Sequence, residues 1–458
     1  MKKLRFLLAL YCAKGILVTM RILGRNASHF PGQIAIKLCP DFLKQLKKPE
    51  TVIAVTGTNG KTTVSNLLTS ILKINGYSVT NNGLGSNIRE GVATTLLENT
   101  TLGGRPKNKL AVLEVDERSS VHIFPYMKPD YLVCNNIMRD SLKRNAHTEF
   151  ITFIINKALP AETKLILNAD DIICSSLGPD CHDRVYFGMD IEKPDKPEKQ
   201  HVKDVVYCPK CGGRLEAEYI RYNHIGRMHC SECDFASPTP DYLVTGIDRD
   251  NETFTVSHDG RKETFHLIND NIVNIYNFCG AVAVLTEFGL SSEQISRGLS
   301  QAKIVKTRFD RLKAGNMNIT MQLSKGQNPI ACTRCFSYAA GCPGDEKQLI
   351  IIIDDKGDNS GNSESVCWLY ECDYSYLKDP GIKRIIFAGP RCKDHYLRAQ
   401  LAGIDSSIIR ITESFTGGVE LLDPEYLEDI YVLYDPYIIK EANVVKQQLI
   451  ELGKRSVQ

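Results

Sequence analysis

Residues 51–63 constrain the fold most, because they join an apolar run, a glycine loop and a helical pattern. The run Val52–Val55 predicts a buried parallel strand, and the apolar spacing from Val64 onwards predicts a helix. Between them lies the loop Gly57-Thr-Asn-Gly-Lys-Thr-Thr63. A glycine loop that leads from a strand into a helix binds phosphates through its backbone N–H groups. The sequence therefore predicts a nucleoside triphosphate site here.

The residue types in this loop indicate their roles. Lys61 is placed to neutralise the terminal phosphates, and the Thr62 hydroxyl is placed to reach Mg²⁺. The other loop residues are expected to contact the nucleotide; they are Gly57, Thr58, Asn59, Gly60 and Thr63. The general phosphate-loop pattern has glycine where this chain has Val55. A glycine turn without a ligand is the alternative, which the Lys-Thr pair and the preceding strand disfavour.

Alternating apolar runs and helical patterns continue from Thr51 to about Gly188 and predict a doubly wound, mostly parallel sheet. Further strands are expected at 110–116, 131–134 and 164–168. Ligands of such sheets gather at the carboxyl ends of the strands. Glu114 is therefore a candidate Mg²⁺ ligand beside the glycine loop. The alternative is an exposed carboxylate at a strand end.

A long apolar helix is predicted from Asn271 to Phe288. Asn274 and Asn277 are three residues apart, so they share one face of this helix near its start. Two amides on one face can contact a nucleotide base. Helix capping and hydrogen bonding within the core explain the same residues equally well.

Four cysteines form the clearest metal signal. Two C-x-x-C pairs occur at 208–211 and 230–233, and this spacing fits a four-cysteine zinc ribbon. The predicted ligands are Cys208, Cys211, Cys230 and Cys233. Four thiolates close the coordination sphere, so the zinc is expected to be structural. A redox-active C-x-x-C is the alternative, but it needs only one pair. The charged connector at 190–207 suggests that the ribbon is an insertion.

Composition limits the other possibilities. The 458 residues suffice for two or three domains, and the net charge of +2 does not favour nucleic acid as a partner. Most of the sixteen cysteines occur singly, as expected of reduced thiols in the cytoplasm.

Residues 1–45 predict an amphipathic helical segment that packs on the body or rests on an anionic membrane surface. A signal peptide is the alternative, but no cleavage site follows.

The strand–helix alternation restarts near Asn316 and predicts a second, smaller α/β domain. Its strands are expected at 319–323, 348–353, 384–387 and 431–434. The segment Lys306–Arg311 is expected to be a basic loop that joins the two domains. Asp354 and Asp355 follow the most apolar of the predicted strands, at the end where ligands gather. Aspartates that cap a turn are the alternative.

Together these residues resemble the Mur ligase family, whose members form amide bonds through an ATP-derived acyl phosphate. The resemblance is carried by the loop at 57–63, by Glu114 and by the helix with Asn274 and Asn277. Four further features resemble the MurT family of ligase-like subunits more narrowly. They are the basic and apolar segment before Ser28–Gly32, the inserted ribbon, Phe309-Asp-Arg311 in place of Phe-Gly-Arg, and Asp354-Asp355 followed by Trp368.

The resemblance implies a domain plan. After the N-terminal segment at 1–45, a Mur ligase central ATP-binding domain would occupy 46–312, with the zinc ribbon inserted at about 203–238. A C-terminal α/β domain, Rossmann-like, would occupy 313–458. The segments 325–329 and 354–372 depart from the family pattern, so they leave substrate and partner less defined.

The resemblance also implies a reaction. ATP would phosphorylate the α-carboxylate of D-glutamate in the lipid II stem peptide, and ammonia would convert the acyl phosphate into D-isoglutamine. Arg311, with Arg308 as second choice, would neutralise the transferring phosphoryl group. Asn274 and Asn277 would lie near the adenine.

The partner implied by the resemblance is a GatD-type glutamine amidotransferase subunit that supplies the ammonia. Asp355 would complete the catalytic triad of that partner. The expected site is cytoplasmic, at the inner face of the plasma membrane where lipid II is reached. Two other functions stay open: an amino-acid ligase of Mur or folylpolyglutamate type, and a nucleotide-binding scaffold that activates a glutaminase.

Overall fold

The computed structural model describes residues 2–83, 86–139, 147–191, 203–302, 309–324, 328–353 and 366–455. The chain forms two compact units. The larger unit comprises most of the chain up to Val305, and the smaller is built from Lys306–Gln458. Each unit contains its own sheet and its own buried core.

The larger unit is organised around a nine-stranded sheet with the order β11-β10-β9-β6-β5-β4-β1-β3-β2. All pairs from β9 to β2 are parallel, and β9-β10-β11 are antiparallel. The predicted doubly wound, mostly parallel sheet is thereby confirmed. The strands are β1 (Thr51–Thr56), β2 (Val79–Asn81), β3 (Leu110–Glu114), β4 (Tyr131–Cys134), β5 (Lys164–Asn168), β6 (Arg184–Met189), β9 (Tyr242–Asp248), β10 (Thr253–His258) and β11 (Arg261–His266).

Helices cover both faces of this sheet. Val52, Ala54 and Leu113 belong to one buried cluster, whereas the neighbouring strand residues point to the opposite face, as the two-residue period of a strand requires. The described helices of this unit are α1 (Lys2–Ile22), α2 (Phe30–Leu38), α3 (Phe42–Gln45), α4 (Lys61–Ile74), α5 (Arg89–Glu98), α6 (Ser120–Ile123), α7 (Thr148–Ala158), α8 (Ile272–Phe288) and α9 (Ser292–Gln301).

The four-cysteine segment forms a separate two-stranded antiparallel hairpin, β7 (Leu215–Tyr222) and β8 (Ile225–Cys230). After this insertion the chain returns to the large sheet, where β9 pairs in parallel with β6. The ribbon is thus inserted into the sheet domain, as predicted. Strands β10 and β11 then extend the large sheet beyond β9 in antiparallel order.

The N-terminal helix α1 packs on α2, α3 and α5 of the larger unit. Its buried residues Phe6, Ala9, Leu10 and Ala13 join the same core cluster as β1 and β3. Lys14 Nζ donates to the carbonyl oxygens of Leu97 and Thr100 at 2.7 and 2.8 Å. Among the described helices, none is both long and apolar enough to cross a bilayer.

The smaller unit contains a six-stranded sheet with the order β12-β13-β17-β14-β15-β16, in which only β12 and β13 are antiparallel. Its strands are β12 (Phe309–Ala314), β13 (Met317–Leu323), β14 (Lys347–Ile352), β15 (Ile382–Ala388), β16 (Ile409–Thr412) and β17 (Asp429–Tyr434). Its described helices are α10 (Pro329–Gly341), α11 (Trp368–Glu371), α12 (Cys392–Leu401) and α13 (Ile439–Arg455).

The expectation of a basic loop through Arg311 is wrong for residues 309–311, because they begin strand β12. Gly315 adopts a positive φ of 58° in the tight turn that joins β12 to β13. Phe309 pairs with Gln322, so the backbone groups of β12 that face β13 are bonded to that strand. The predicted domain boundary at 312/313 falls inside this hairpin.

Candidate active site

Two glycines shape the loop between β1 and α4. Gly57 and Gly60 have φ values of +116° and +89°, a region that side chains other than glycine rarely adopt. A Cβ atom on Gly57 would lie 2.8 Å from the Asn136 carbonyl oxygen. A Cβ atom on Gly60 would lie 2.2 Å from Asn277 Oδ1. Both positions therefore require glycine for conformation and for space.

The residues after β4 hold the loop in place. The Thr58 backbone N–H donates to the Asn136 carbonyl oxygen at 2.8 Å, and the Asn59 N–H donates to Asn136 Oδ1 at 2.9 Å. Thr58 Oγ1 also donates to the Met138 carbonyl oxygen and accepts from the Met138 N–H, at 3.0 and 2.8 Å. The loop is fixed to the carboxyl end of the neighbouring strand before any ligand binds.

Lys61 is the first residue of α4, and its ammonium group is buried against an acid. Nζ lies 2.9 Å from Glu117 Oε1, and the side chains are 11% and 2% exposed. Nζ also donates to the Gly57 carbonyl oxygen. Burial alone would lower the pKa of Lys61, but the carboxylates of Glu117, Asp116 and Glu114 outweigh burial and raise it. Lys61 Nζ therefore points back over the loop, beside the acidic end of β3.

Glu114 ends strand β3, next to Val55 of β1. Its residue is 7% exposed, and Oε1 accepts a hydrogen bond from Asn87 Nδ2 at 2.8 Å. Its backbone N–H and carbonyl oxygen both bond the Asn82 side chain at 2.8 Å. The alternative of an exposed carboxylate at a strand end is therefore wrong for Glu114.

A chain of hydrogen bonds between asparagine side chains includes Asn277 and Asn274, and Asn277 lies beside Gly60 of the glycine loop. Asn135 Nδ2 donates to Asn277 Oδ1 at 2.6 Å, and Asn277 Nδ2 donates to Asn274 Oδ1 at 3.2 Å. Asn274 Nδ2 donates in turn to Asn269 Oδ1 at 2.9 Å. Asn277 is buried and supports Gly60, whereas Asn274 is half-buried.

Thr62 and Thr63 occupy the first turn of α4, where Thr62 is exposed and Thr63 half-buried. Arg311 lies in the smaller unit, on the exposed part of β12, and it donates a hydrogen bond to Tyr338 OH. The guanidinium carbon lies 5.7 Å from the centre of the Tyr338 ring. Arg308 and Asp355, with Asp354, lie outside the described residues.

The four cysteines converge, with all four Sγ atoms within 4.8 Å of one another. Sγ of Cys208 lies 3.7 Å from that of Cys233, and Sγ of Cys211 lies 3.4 Å from that of Cys230. A tetrahedral zinc site with bonds of about 2.3 Å has sulfur–sulfur distances of about 3.8 Å. Backbone N–H groups point at three of the sulfurs, which favours the thiolate form; the donors are Lys210, Gly213 and Glu232.

The other end of the ribbon hairpin is anchored by buried ionic contacts. Arg221 on β7 and Asp170 after β5 lie 2.9 Å apart, with both side chains 1% exposed. Asp170 Oδ2 also accepts from Tyr276 OH at 2.6 Å and from the Met189 N–H at 3.1 Å. Burial raises the pKa of Asp170, and the Arg221 charge opposes that rise.

A second buried contact, between His224 and Asp171, connects the ribbon hairpin to the segment that holds the glycine loop. His224 Nε2 lies 3.2 Å from Asp171 Oδ1, and Asp171 Oδ2 accepts from the Ile137 N–H at 2.7 Å. Burial would lower the pKa of His224, but Asp171 outweighs burial and raises it. Ile137 adjoins Met138, which bonds Thr58. The inserted ribbon is therefore tied to the segment that holds the loop.

Four residues of this region had no role predicted from the sequence: Asn87, Glu117, Asp170 and Arg221. Glu117 lies three residues after Glu114, so the acidic strand end was a usable signal for it. Asp170 and Arg221 are fifty-one residues apart and carry no motif that would have paired them.

Comparisons with known proteins agree with this geometry. The family model for the Mur ligase middle domain matches residues 55–212, and the model for the MurT ligase C-terminal domain matches residues 325–435. The chain is 30% identical to the lipid II isoglutaminyl synthase (glutamine-hydrolyzing) subunit MurT of Staphylococcus aureus, over 91% of this chain and 92% of that protein.

Solved structures share the fold. A pseudomurein peptide ligase type C from Methanothermus fervidus matches with a TM-score of 0.65 and 23% identity, over 89% of this chain and 81% of that one. MurF ligase from Thermotoga maritima, solved in complex with ADP, matches with a TM-score of 0.59 and 15% identity, over 93% and 85% of the two chains. The Mur ligase-type α/β fold predicted from the sequence is confirmed.

Proposed function

Since the chain belongs to the MurT family, we propose that it is the ATP-dependent synthetase subunit of a glutamine-hydrolysing amidotransferase. Its substrate is the α-carboxylate of D-glutamate in the lipid II stem peptide, and its product is D-isoglutamine. The observation that carries the proposal is the buried Lys61, held over the glycine loop by Glu117 beside Glu114. That arrangement concentrates opposite charges where a triphosphate and its cation would bind.

The chemistry requires activation because a carboxylate is a poor electrophile. A carboxylate oxygen attacks the γ-phosphorus of ATP, the bond to ADP breaks, and an acyl phosphate forms. Ammonia then attacks the acyl carbon, the C–O bond breaks with its electrons on phosphate, and the proton that the nitrogen loses is taken up by that phosphate, which leaves as hydrogen phosphate. Most of the catalysis in such a reaction comes from positioning and from charge neutralisation.

The chain's own residues have distinct parts in this scheme. Lys61 exchanges its contact with Glu117 for the phosphates, while the backbone of 57–60 and the start of α4 surround them. Asn274 contacts the adenine, and Asn277 fixes the loop through Gly60 and Asn135. Arg311, or alternatively Arg308, neutralises the transferring phosphoryl group.

Two metal ions belong to the proposal. Glu114 and Thr62 would hold Mg²⁺, which neutralises phosphate charge when bound. The four ribbon cysteines would hold a structural Zn²⁺, which the converging sulfurs and their N–H donors support.

The ammonia source in this proposal is a GatD-type glutaminase subunit, whose catalytic triad Asp355 completes by orienting a histidine. The MurT ligase C-terminal match over residues 325–435 covers this aspartate and supports its assignment. The reaction takes place in the cytoplasm, at the inner face of the membrane that carries lipid II.

The test compares Lys61→Ala with Lys109→Ala, an exposed lysine in the same unit. Loss of a charge that stabilises the transition state typically costs about 100-fold or more. We therefore expect Lys61→Ala to lower D-isoglutamine formation by at least about 100-fold, and Lys109→Ala to leave it unchanged. Mass spectrometry of the product, with ammonium salt as well as glutamine as nitrogen source, measures both. Wild-type amidation by a folded Lys61→Ala protein would refute the proposal.

A further inference from the structure

Helix α1 carries a second apolar face, opposite the one that packs on the protein. Its buried residues are Phe6, Ala9, Leu10, Ala13 and Leu17. At 100° per residue, positions 4, 8, 11, 15, 18 and 22 fall on a narrow stripe on the other side of the helix. We call this the outer stripe: Leu4, Leu8, Tyr11, Gly15, Val18 and Ile22.

The outer stripe is unusually exposed for its composition. Leu4 and Leu8 are 75% and 58% exposed, Val18 is 54% exposed, and Ile22 is 79% exposed. An amphipathic helix normally turns polar residues outwards, whereas this one turns leucine, valine and isoleucine outwards. Beside the stripe opens a mostly apolar groove of about 540 Å³, lined by Cys12, Gly15, Ile16, Thr19, Met20 and Phe30.

The charge of the helix indicates the partner. In its 21 residues α1 has no aspartate or glutamate, but it has five lysines and arginines. Arg5, Lys14 and Arg21 bond groups of the protein body. Lys2 and Lys3 at the start of the helix, and Arg25 just past its end, are exposed, so basic residues flank the stripe at both ends of the helix.

We propose that the outer stripe and its groove dock on an anionic lipid bilayer, with α1 lying parallel to the surface. Apolar side chains that face outwards between basic residues are the composition of an interfacial helix. The buried face keeps α1 fixed to the protein, so docking requires no unfolding. The inference rests on the proposed function in one respect: docking would bring the nucleotide-binding unit to the membrane surface that carries a lipid-linked carboxylate.

The variant Leu4→Ser/Leu8→Ser tests this, because both leucines are exposed and their loss leaves the core intact. The matched control is Leu397→Ser/Leu401→Ser, a pair with the same spacing on α12 that is 48% and 65% exposed. The full chain is sedimented with vesicles of phosphatidylglycerol and phosphatidylcholine. We expect the stripe variant to bind at least about tenfold more weakly and the control to bind as wild type. Pure phosphatidylcholine should weaken wild-type binding by about fivefold or more.

Equal vesicle binding by both double variants, or no binding by the wild type, would overturn the proposal. It would also fall if the stripe variant lost self-association or binding to the glutaminase subunit, with vesicle binding unaffected. Amidation separates this inference from the proposed function. On a water-soluble stem-peptide substrate the stripe variant should match wild type, whereas on vesicle-embedded lipid II it should be slower. Wild-type protein inactive on both substrates but bound to vesicles would refute the function and leave the docking inference standing.

Discussion

Arg221→Met should loosen the ribbon hairpin strongly, because it removes the charge that faces a fully buried carboxylate. Arg221 Nη1 donates to Asp170 Oδ2 and to Tyr276 OH at 2.9 and 2.8 Å, and Nη2 donates to the Met189 carbonyl oxygen at 2.6 Å. Breaking a buried ion pair by removing one partner costs about 3–5 kcal/mol. Asp170 keeps its bonds from Tyr276 and Met189, so we expect the lower end, about 3 kcal/mol.

Hydrogen–deuterium exchange is the appropriate assay, because the hairpin can open without the whole unit unfolding. A loss of about 3 kcal/mol corresponds to about 150-fold faster exchange in the peptide that covers β7 and β8. Arg214→Met is the matched control: this arginine lies next to the same hairpin but is exposed. It should leave the exchange rates within about twofold of wild type.

A second substitution distinguishes charge from packing. Asp170→Asn in the Arg221→Met background removes the buried carboxylate that has lost its ion-pair partner. The amide hydrogens of the double variant should therefore exchange more slowly than those of Arg221→Met alone. Additive losses in the double variant would show that side-chain packing, and not the buried charge, holds the hairpin. Wild-type exchange in Arg221→Met would refute the reasoning entirely.

The effect of Arg221→Met should depend on pH in a defined direction. Burial raises the pKa of Asp170, and without Arg221 little opposes that rise. A carboxyl whose pKa is higher in the folded than in the unfolded state destabilises the fold increasingly as pH rises from its unfolded pKa, about 3.9, towards its folded one. The ratio of variant to wild-type exchange rates should therefore grow from about pH 4 towards neutral pH. A ratio that fell over that range would contradict this account.

Two further predictions concern the metal and the partner. Purified protein should contain about one zinc per chain, and Cys211→Ser should lower that content. The control Cys12→Ser changes an exposed cysteine outside the ribbon and should leave the zinc content unchanged. A zinc-free protein with wild-type stability would refute the zinc assignment. Asp355→Asn should suppress glutamine hydrolysis by the partner subunit, measured as glutamate release, without changing ATP affinity; full glutaminase activity in the complex would remove Asp355 from the triad.

Local signals in the sequence predicted the features that depend on neighbouring residues. The strand at Val52–Val55, the glycine loop and the helix after Lys61 lie within one stretch of chain, so their pattern was readable directly. The same holds for the cysteine pairs, since each C-x-x-C closes over two residues. The roles assigned to Glu114, Asn274 and Arg311 stay predictions, although the structure places the first two beside the loop.

Distant pairings and tight turns were harder to predict. The basic residues at 306–311 suggested a loop, but β12 pairs with β13 through a Gly315-Asn316 turn. That dipeptide between two alternating segments was a usable hairpin signal. The Asp170–Arg221 pair had no comparable signal, because the partners of such an ion pair follow from the topology of the sheet and not from spacing along the chain.

The two ends of the ribbon hairpin are held by different groups, a four-cysteine cluster at one end and buried charges at the other. An isolated two-stranded hairpin is marginally stable in water. The buried cluster around β7 and β8 is small and includes Ile172 of the sheet domain; its other members are Cys208, Leu215, Met228 and Cys230. The cysteines close one end, and Arg221 with His224 closes the other against Asp170 and Asp171. Because Asp171 also bonds the segment that holds Thr58, loosening the hairpin by Arg221→Met should weaken ATP binding measured by calorimetry, and wild-type affinity in that variant would contradict this link.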